Sequence, residues 1–396
     1  MKKIQQCFLL YMSLMGAVFM ATGQVENIDK NASPLEITSG IIYTDNLNPT
    51  LENEVGAYGI IVSPRGKLVF AGDGLWFMAD YEAQLQRFKL SEELDNLDRD
   101  QSFNSVRARL LSRFFVSDAW YIDADVQHSS ETQRFGTGIT SLRKNVTLAD
   151  KLTSNNAGLK LVYGKDTSSR YISLKYNYQD NDYEAINAYS ELFDMTQQSL
   201  KFDLAFRQSS LTRILFRFEL SDDDFESELR EDSQLYEALA GVNWKPSGKT
   251  QLEAYIGVYR REFASSATST GLSWLLEFSH KPTDNWLFEL SSARSSDVSK
   301  TETTSDTLDQ DNIAHLSYLY SEQWKIGAYI AFVTSEFIEA DQSSQLDELK
   351  AGLAWTLSVQ KYNQISLRLG SLDVSGSGDV LEYSQNEARI DWRYEF

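Results

Sequence analysis

The sequence predicts an all-β chain, a transmembrane antiparallel up-and-down β-barrel of about 18 strands, and three observations predict it. Apolar residues recur at every second position in run after run, the connections between runs alternate short and long, and tryptophans stand beside the short ones. An amphipathic helix would space its apolar residues by three and four, so a spacing of two selects strands.

The first segment is not part of that pattern. Lys2 and Lys3 precede an apolar run from Cys7 to Met20, followed by the small residues Ala21 and Gly23, the layout of a secretory signal peptide cut after Gly23. A membrane anchor is the alternative, but the run is shorter than the ~20 residues a spanning helix needs. Cys7 is the one cysteine and falls inside this segment, which removes disulfides, thiol catalysis and cysteine metal sites from the predicted mature chain. Residues 24–33 read as a short periplasmic N-terminal segment and 34–396 as the barrel, one continuous architecture with five prolines and no linker-like tract. A net charge of -20 argues against a nucleic-acid partner, whose phosphates demand a basic surface.

KFDLAFRQ shows the alternation: Leu200, Phe202, Leu204 and Phe206 on one face, Lys201, Asp203 and Arg207 on the other. Strands are expected at 34–44, 55–71, 75–89, 101–115, 120–133, 153–163, 170–183, 196–208 and 213–225, then at 233–246, 250–263, 270–281, 286–299, 310–321, 324–338, 345–358, 364–375 and 381–396. Most exceed the usual ~5–6 residues of soluble strands and reach the length of a tilted membrane strand. A soluble β sandwich with scattered core aromatics is the alternative, and it rarely needs strands this long. Tight turns such as Gly72-Asp73-Gly74 and Val116-Ser117-Asp118-Ala119 alternate with polar links such as SEELDNLDRD, SDDDFESELREDS and KTETTSDTLDQ. From a periplasmic N-terminus, every short turn falls on the periplasmic side, and an even strand count returns the C-terminus there. Trp120, Trp244, Trp286 and Trp324 flank short turns, with Trp76 one residue further in, which reads as the periplasmic aromatic girdle.

With the apolar parity toward lipid, the polar parity lines the lumen. The lumen set comprises Arg107, Arg109, Arg113, Asp123, Asp125, Lys160, Lys175, Lys201, Asp203, Arg207, Arg213, Arg217, Glu219, Glu253, Glu277, Glu289, Lys350, Arg368, Arg389, Asp391 and Arg393. Signs are mixed, and eighteen strands are too many for side chains alone to fill, so a water-filled or loop-plugged lumen is expected. Arg107, Arg109 and Arg113, facing Arg207, Arg213 and Arg217, offer a ladder for an anionic or hydroxyl-rich solute; pairing with lumen acids is the plainer reading. The link from Arg134 to Leu152 carries Arg134, Arg143, Lys144 and Lys151 against only Asp150. It is either a constriction loop inside the pore, a contact for lipopolysaccharide phosphates, or an ordinary exposed loop. The run Asp222, Asp223, Asp224, Glu226 and Glu228 would bridge divalent cations to lipopolysaccharide or simply be solvated. His128, His280 and His315 are scattered without any catalytic or metal-binding spacing, so no enzyme and no cofactor is expected; His128 near Asp123 and Asp125 is the one exception weighed.

SGIIYTDNLNPT followed by YGIIVSPRGKLVFAG, with Tyr43-Thr44-Asp45-Asn46 and the Ser63-Pro64 step, resembles the beta-barrel porin 2 family, EpsL-like outer-membrane barrels associated with exopolysaccharide operons. The resemblance implies a Gram-negative outer-membrane conduit for a secreted polysaccharide, working with an inner-membrane polymerase and a periplasmic polysaccharide-export protein. The helical-repeat domain of some polysaccharide porins is missing from the sequence, so a periplasmic partner would dock on the short turns. The ending with Trp392, Tyr394 and Phe396 resembles the signal read by the barrel assembly machinery. A diffusion porin for small hydrophilic solutes and a plugged receptor or structural barrel are the alternatives.

Overall fold

The computed structural model describes residues 27–28 and 35–396 apart from 53, 95–96, 142, 166–167, 299–305, 339–342, 361 and 378–380. The predicted signal peptide lies outside the described residues. A two-residue bridge, β1 (Asn27–Ile28), is followed by β2 (Glu36–Thr44), β3 (Ala57–Gly72), β4 (Leu75–Leu90), β5 (Asp100–Phe115), β6 (Trp120–Thr132) and β7 (Lys151–Tyr163). Then come β8 (Arg170–Tyr183), β9 (Met195–Arg207), β10 (Thr212–Phe225), β11 (Ser233–Ser247), β12 (Thr250–Phe263) and β13 (Ser269–His280). The last six are β14 (Trp286–Val298), β15 (Asp306–Leu319), β16 (Trp324–Ile338), β17 (Ser343–Gln360), β18 (Asn363–Ser377) and β19 (Tyr383–Glu395).

Each of β2–β19 pairs antiparallel with its sequence neighbours, and β19 returns to β2, so the barrel closes on itself with 18 strands. The closing register sets Ile390 opposite Ile41, Trp392 opposite Ser39 and Glu395 opposite Glu36. Following register partners once round the ring lands about 22 residues further along β2. With ordinary strand spacing, that stagger gives a tilt of about 40° and a backbone diameter of about 36 Å.

Closure leaves the alternating apolar residues on the outside. Ile41 at 60%, Ile256 at 62% and Ile330 at 52% are exposed although they sit in mid-strand. A continuous apolar belt of this kind has no place in water and fits lipid. Below it Trp120 stacks on Tyr163 at 4.9 Å and Trp286 on Tyr318 at 4.4 Å, while Trp244 and Trp324 remain exposed on the same outer parity. Trp76 departs from the expectation: it stands opposite Arg113, on the lumen parity of β4. Position beside a turn does not decide which face a residue takes; register does.

Several boundaries shift. β15 starts at Asp306, within the expected KTETTSDTLDQ link, and Asp222, Asp223 and Asp224 belong to β10, with only the residues after Phe225 left as a connection. The long connections cluster early, at 45–56, 91–99, 133–150 and 184–194, whereas 264–268 is as short as the periplasmic turns. At the opposite end, Asp73-Gly74 closes the β3–β4 hairpin with Gly74 at φ 80°, a left-handed turn position that glycine occupies without strain.

Candidate functional site

The early long connections fold toward the lumen. Arg134 reaches from the end of β6 to Glu387 on β19 at 3.0 Å and to Gln86 on β4 at 2.7 Å, with its guanidinium 5.4 Å from the Phe88 ring. Phe135 meets Phe103 edge-on at 5.6 Å. The 45–56 connection docks on the same segment: Thr50 O accepts from the Asn145 backbone at 2.7 Å, and Val146 O accepts from Asn48 Nδ2 at 2.7 Å. Gly136 sits at φ 73°, and a Cβ there would lie 2.6 Å from Pro49, so the two connections close on each other only because residue 136 has no side chain.

Beneath them, Ile42, Ile61, Phe88 and Phe103 are buried on the lumen parity of β2–β5, packed with Leu47, Val55, Phe135 and Val146 of the connections. The expectation of a uniformly polar lumen is therefore corrected for this sector. Of the other basic residues in the link, Arg143 stacks on Tyr189 at 3.6 Å. Lys151 opens β7 on the outer face, paired with Glu184, and so stands away from the pore. Lys144 keeps a partner of its own.

The predicted lumen charges all lie on the inward parity, but most are held in the wall. Arg113 grips Asp123 in a bidentate pair at 2.6 and 2.9 Å, Arg107 pairs with Glu82 at 2.9 Å, and Arg217 with Asp203 at 2.8 Å. Arg213 donates to Ser168 O at 2.8 Å, opposite Arg207 in register. At the seam, Asp391 is gripped by Arg389 at 2.6 Å with Arg368 at 3.6 Å, and a Cβ at Gly40 would strike this carboxylate; Arg393 pairs with Glu36 at 2.6 Å. The two arginine groups on β5 and on β9–β10 share one stretch of wall and do not face each other.

What remains uncompensated stands in a row. Arg113, Asp123, Lys160, Lys175, Lys201, Glu219 and Glu237 are successive register partners from β5 to β11. Like charges directly opposed across strands repel. Asp123 is already taken by Arg113 and Glu219 by Lys201 at 2.7 Å, so among the described residues Lys160 and Lys175 have no acid partner. Lys160 lies 5.8 Å from the Tyr171 ring. Four positions up each of these strands runs a second row, Gln127, Asn156, Gln179 and Gln197, directly opposed from β6 to β9. Asp125, Asn177 and Ser199 lie between the two rows, with the Asp125 carboxylate leaning over Gly158. Strand tilt makes both rows climb toward the extracellular end, the charged one from near the periplasmic mouth and the amides from mid-barrel.

Further round the same wall the sign inverts: Glu237, Glu253, Glu277 and Glu289 line β11–β14, with Glu253 directly opposite Glu277. The expected mixture of signs is thus sorted by sector. Sequence reasoning missed the amide row, whose four members sit on four strands. It also missed the buried Arg261, which donates to Asp223 at 2.6 Å and to Ser296 at 2.7 Å while Ser296 donates to Asp306 at 2.7 Å, tying β10 to β15 at the extracellular end. Asp223 is 0% exposed, so that acid is a structural tie, while Asp222 and Asp224 face outward. His128 faces outward too, with Nδ1 2.8 Å from Asn155, away from the inward Asp123 and Asp125.

No family model matches the chain, and no curated protein matches it. Among solved structures, it is similar to the FrpB iron transporter from Neisseria meningitidis (F5-1 variant, apoprotein form), at 8% identity and a TM-score of 0.50 over 93% of this chain and 82% of that one. It is also similar to OccK2 (OpdF) from Pseudomonas aeruginosa, at 12% identity and 0.48 over 94% and 100%. A BenF-like porin from Pseudomonas fluorescens Pf-5 gives 11% identity and 0.48 over 93% and 100%. At such identities the likeness is one of fold.

Proposed function

We propose that the chain is an outer-membrane channel of a Gram-negative bacterium whose passenger is an acidic, hydroxyl-rich polymer, an exopolysaccharide leaving the cell. The observation that carries this reading is the ramp of Lys160, Lys175 and Lys201 beneath the amides Gln127, Asn156, Gln179 and Gln197, all of them solvent-accessible. Side-chain amides both donate and accept, as sugar hydroxyls require, although Gln197 already donates to Asp223 at 2.6 Å, and the unpaired ammonium groups of Lys160 and Lys175 suit carboxylates. A backbone diameter of about 36 Å leaves room for a hydrated chain even with two connections docked on one side. The resemblance of the first hairpin to the beta-barrel porin 2 family supplies the outward direction.

Transport is passive: wall groups replace water around the polymer, and the driving energy comes from synthesis at the inner membrane. A periplasmic export protein would dock on the short turns, and Trp392, Tyr394 and Phe396, in successive tilted and edge-on contacts at 6.3 and 4.7 Å along the outer rim, would serve the assembly machinery. Planar-bilayer recording tests the channel, and a deletion strain tests its passenger. An open channel blocked by acidic oligosaccharides, with secretion lost in the deletion strain, is expected. A silent barrel sinks the transport reading, and a channel indifferent to sugars with normal secretion leaves a diffusion porin.

A further inference from the structure

Arg87 and Lys89 stand on the outer, lipid-facing parity of β4, in register with the exposed Ile60 and Tyr58 of β3. On the extracellular half of that outer wall the other strand cations are neutralised: Lys151 by Glu184, Arg260 by Glu262 at 2.8 Å, Arg294 by Glu336 at 4.0 Å. Arg87 and Lys89 have neither ion pair nor hydrogen bond among the described residues, although Asp100 faces Lys89 in register. One facing carboxylate leaves these two cations under-compensated against lipid, which calls for a further anion from outside the chain.

Beside them the wall is hollow. Where β18, β19, β2, β3 and β4 meet, a groove of about 600 Å³ runs over Leu367, Ile390, Ile41 and Ile60 to Arg87 and Lys89, with Asp100 of β5 at its far edge. Ala388 forms part of its floor, between Leu369 and Tyr43 in register, where a larger side chain would fill it. The groove is inclined: its apolar end lies within the belt, and each strand crossed toward β4 raises it by about 3 Å at the tilt given above. Lys89 ends about 25 Å above the Tyr394 rim, the full height of a barrel's apolar band. Tyr43 and Tyr58, 4.9 Å apart in the same row, mark that level as the upper aromatic girdle.

We propose that this groove is a binding site for a phosphorylated glycolipid of the outer leaflet, with acyl chains along Ile41, Ile60 and Ile390 and a phosphate on Arg87 and Lys89. The placement rests on the outer-membrane reading above. The cations sit at headgroup height and the apolar trough descends from them, as the two parts of such a lipid do. The trough crosses five strands, about 19 Å of wall, and accommodates several chains side by side. Elsewhere the extracellular half of the outer wall is acidic, with Asp180, Asp222 and Asp373 outward, so phosphate is drawn to this sector.

Native mass spectrometry of the purified, delipidated barrel tests this with three probes: bisphosphorylated lipid A, the same lipid dephosphorylated, and the two-chain phosphatidylglycerol. The wild type should bind lipid A at least ten-fold more tightly than either control, and Arg87→Gln with Lys89→Gln should abolish the preference. Arg260→Gln, on a cation already paired, should leave it intact. Equal binding of dephosphorylated lipid A, a preference for phosphatidylglycerol, or an unchanged double variant would overturn the site. Bilayer conductance separates the two readings: the double variant should conduct as the wild type does, whereas a wild type that binds lipid A but never conducts would sink the channel alone. Should the double variant lose its folded, heat-shifted migration, Arg87→Lys with Lys89→Arg must retain the preference in folded protein, or the site is wrong.

Discussion

The lumen faces of β2–β5 and of β6–β10 begin from the same alternating pattern and end in opposite states. On the first, Ile61 and Phe88 are buried under the 45–56 and 133–150 connections, with Arg134 bolting the cover to β4 and β19. On the second, Lys160, Lys175 and the amides stay accessible, while Ala205 and Leu215 lower on β9 and β10 form only a small buried cluster with Leu239 and Tyr255. The difference lies in what occupies the inward positions. Where they are apolar, water is a poor neighbour and a connection folds in to cover them; where they are amide or charged, the wall can stay wet. One sector is a fixed lining, and the other is left to face a solute.

The largest test of that contrast is a charge on each wall. Ile61→Asp places a carboxylate under the docked connections, at a cost of several kcal/mol, and should release them. Protease cutting within 133–150 and a higher single-channel conductance would report it. Ser199→Asp, in the row between the lysines and the amides, should change neither; equal effects at both sites would erase the distinction. Next in size, Lys160→Glu with Lys175→Glu should invert the local field and lower the anion-to-cation permeability ratio several-fold, measured as a reversal potential. Arg134→Ala removes two hydrogen bonds at a half-exposed site, worth about 1–3 kcal/mol together, and should raise current noise without unfolding the barrel.

The smallest effect is one of pH. Asp194, in the 184–194 connection, is pushed up to about 6, foremost by burial and further by Asp182, Glu226 and Glu191, against the Tyr183 N–H that it accepts at 2.7 Å. A folded-state value above the ordinary ~4 means that the neutral acid stabilises the closed connection. That contribution is complete below about pH 4 and fades as pH rises through 6. Hydrogen-exchange protection factors at Tyr183 should therefore fall between about pH 5 and 7.5 in the wild type and stay flat in Asp194→Asn.

Most of this architecture was legible because period two, turn residues and aromatic flanks are local signals. Every expected strand exists, with ends displaced by four residues at most, as for β15. The inward charges followed from parity alone, while their pairing did not, since Arg113 finds Asp123 only through the β5–β6 register. Phe88 and Phe103 on the polar parity are the sequence's sign of a docked connection, visible only when neighbouring strands are compared. The lysine row needed three registers known at once, and Trp76 turned inward because a turn's neighbour can take either face. A run of three aspartates masks alternation, so Asp222 and Asp224 look like loop acids in the sequence, while Asp223 turns inward to Arg261.

The most direct test of the central claim is release from proteoliposomes loaded with two oligosaccharides of equal length, one neutral and one carrying carboxylates. The account predicts that the wild type releases both and the acidic one several-fold faster, and that Lys160→Gln with Lys175→Gln brings the two rates together. Retention of both sugars, or an acidic preference that survives the double substitution, would contradict it.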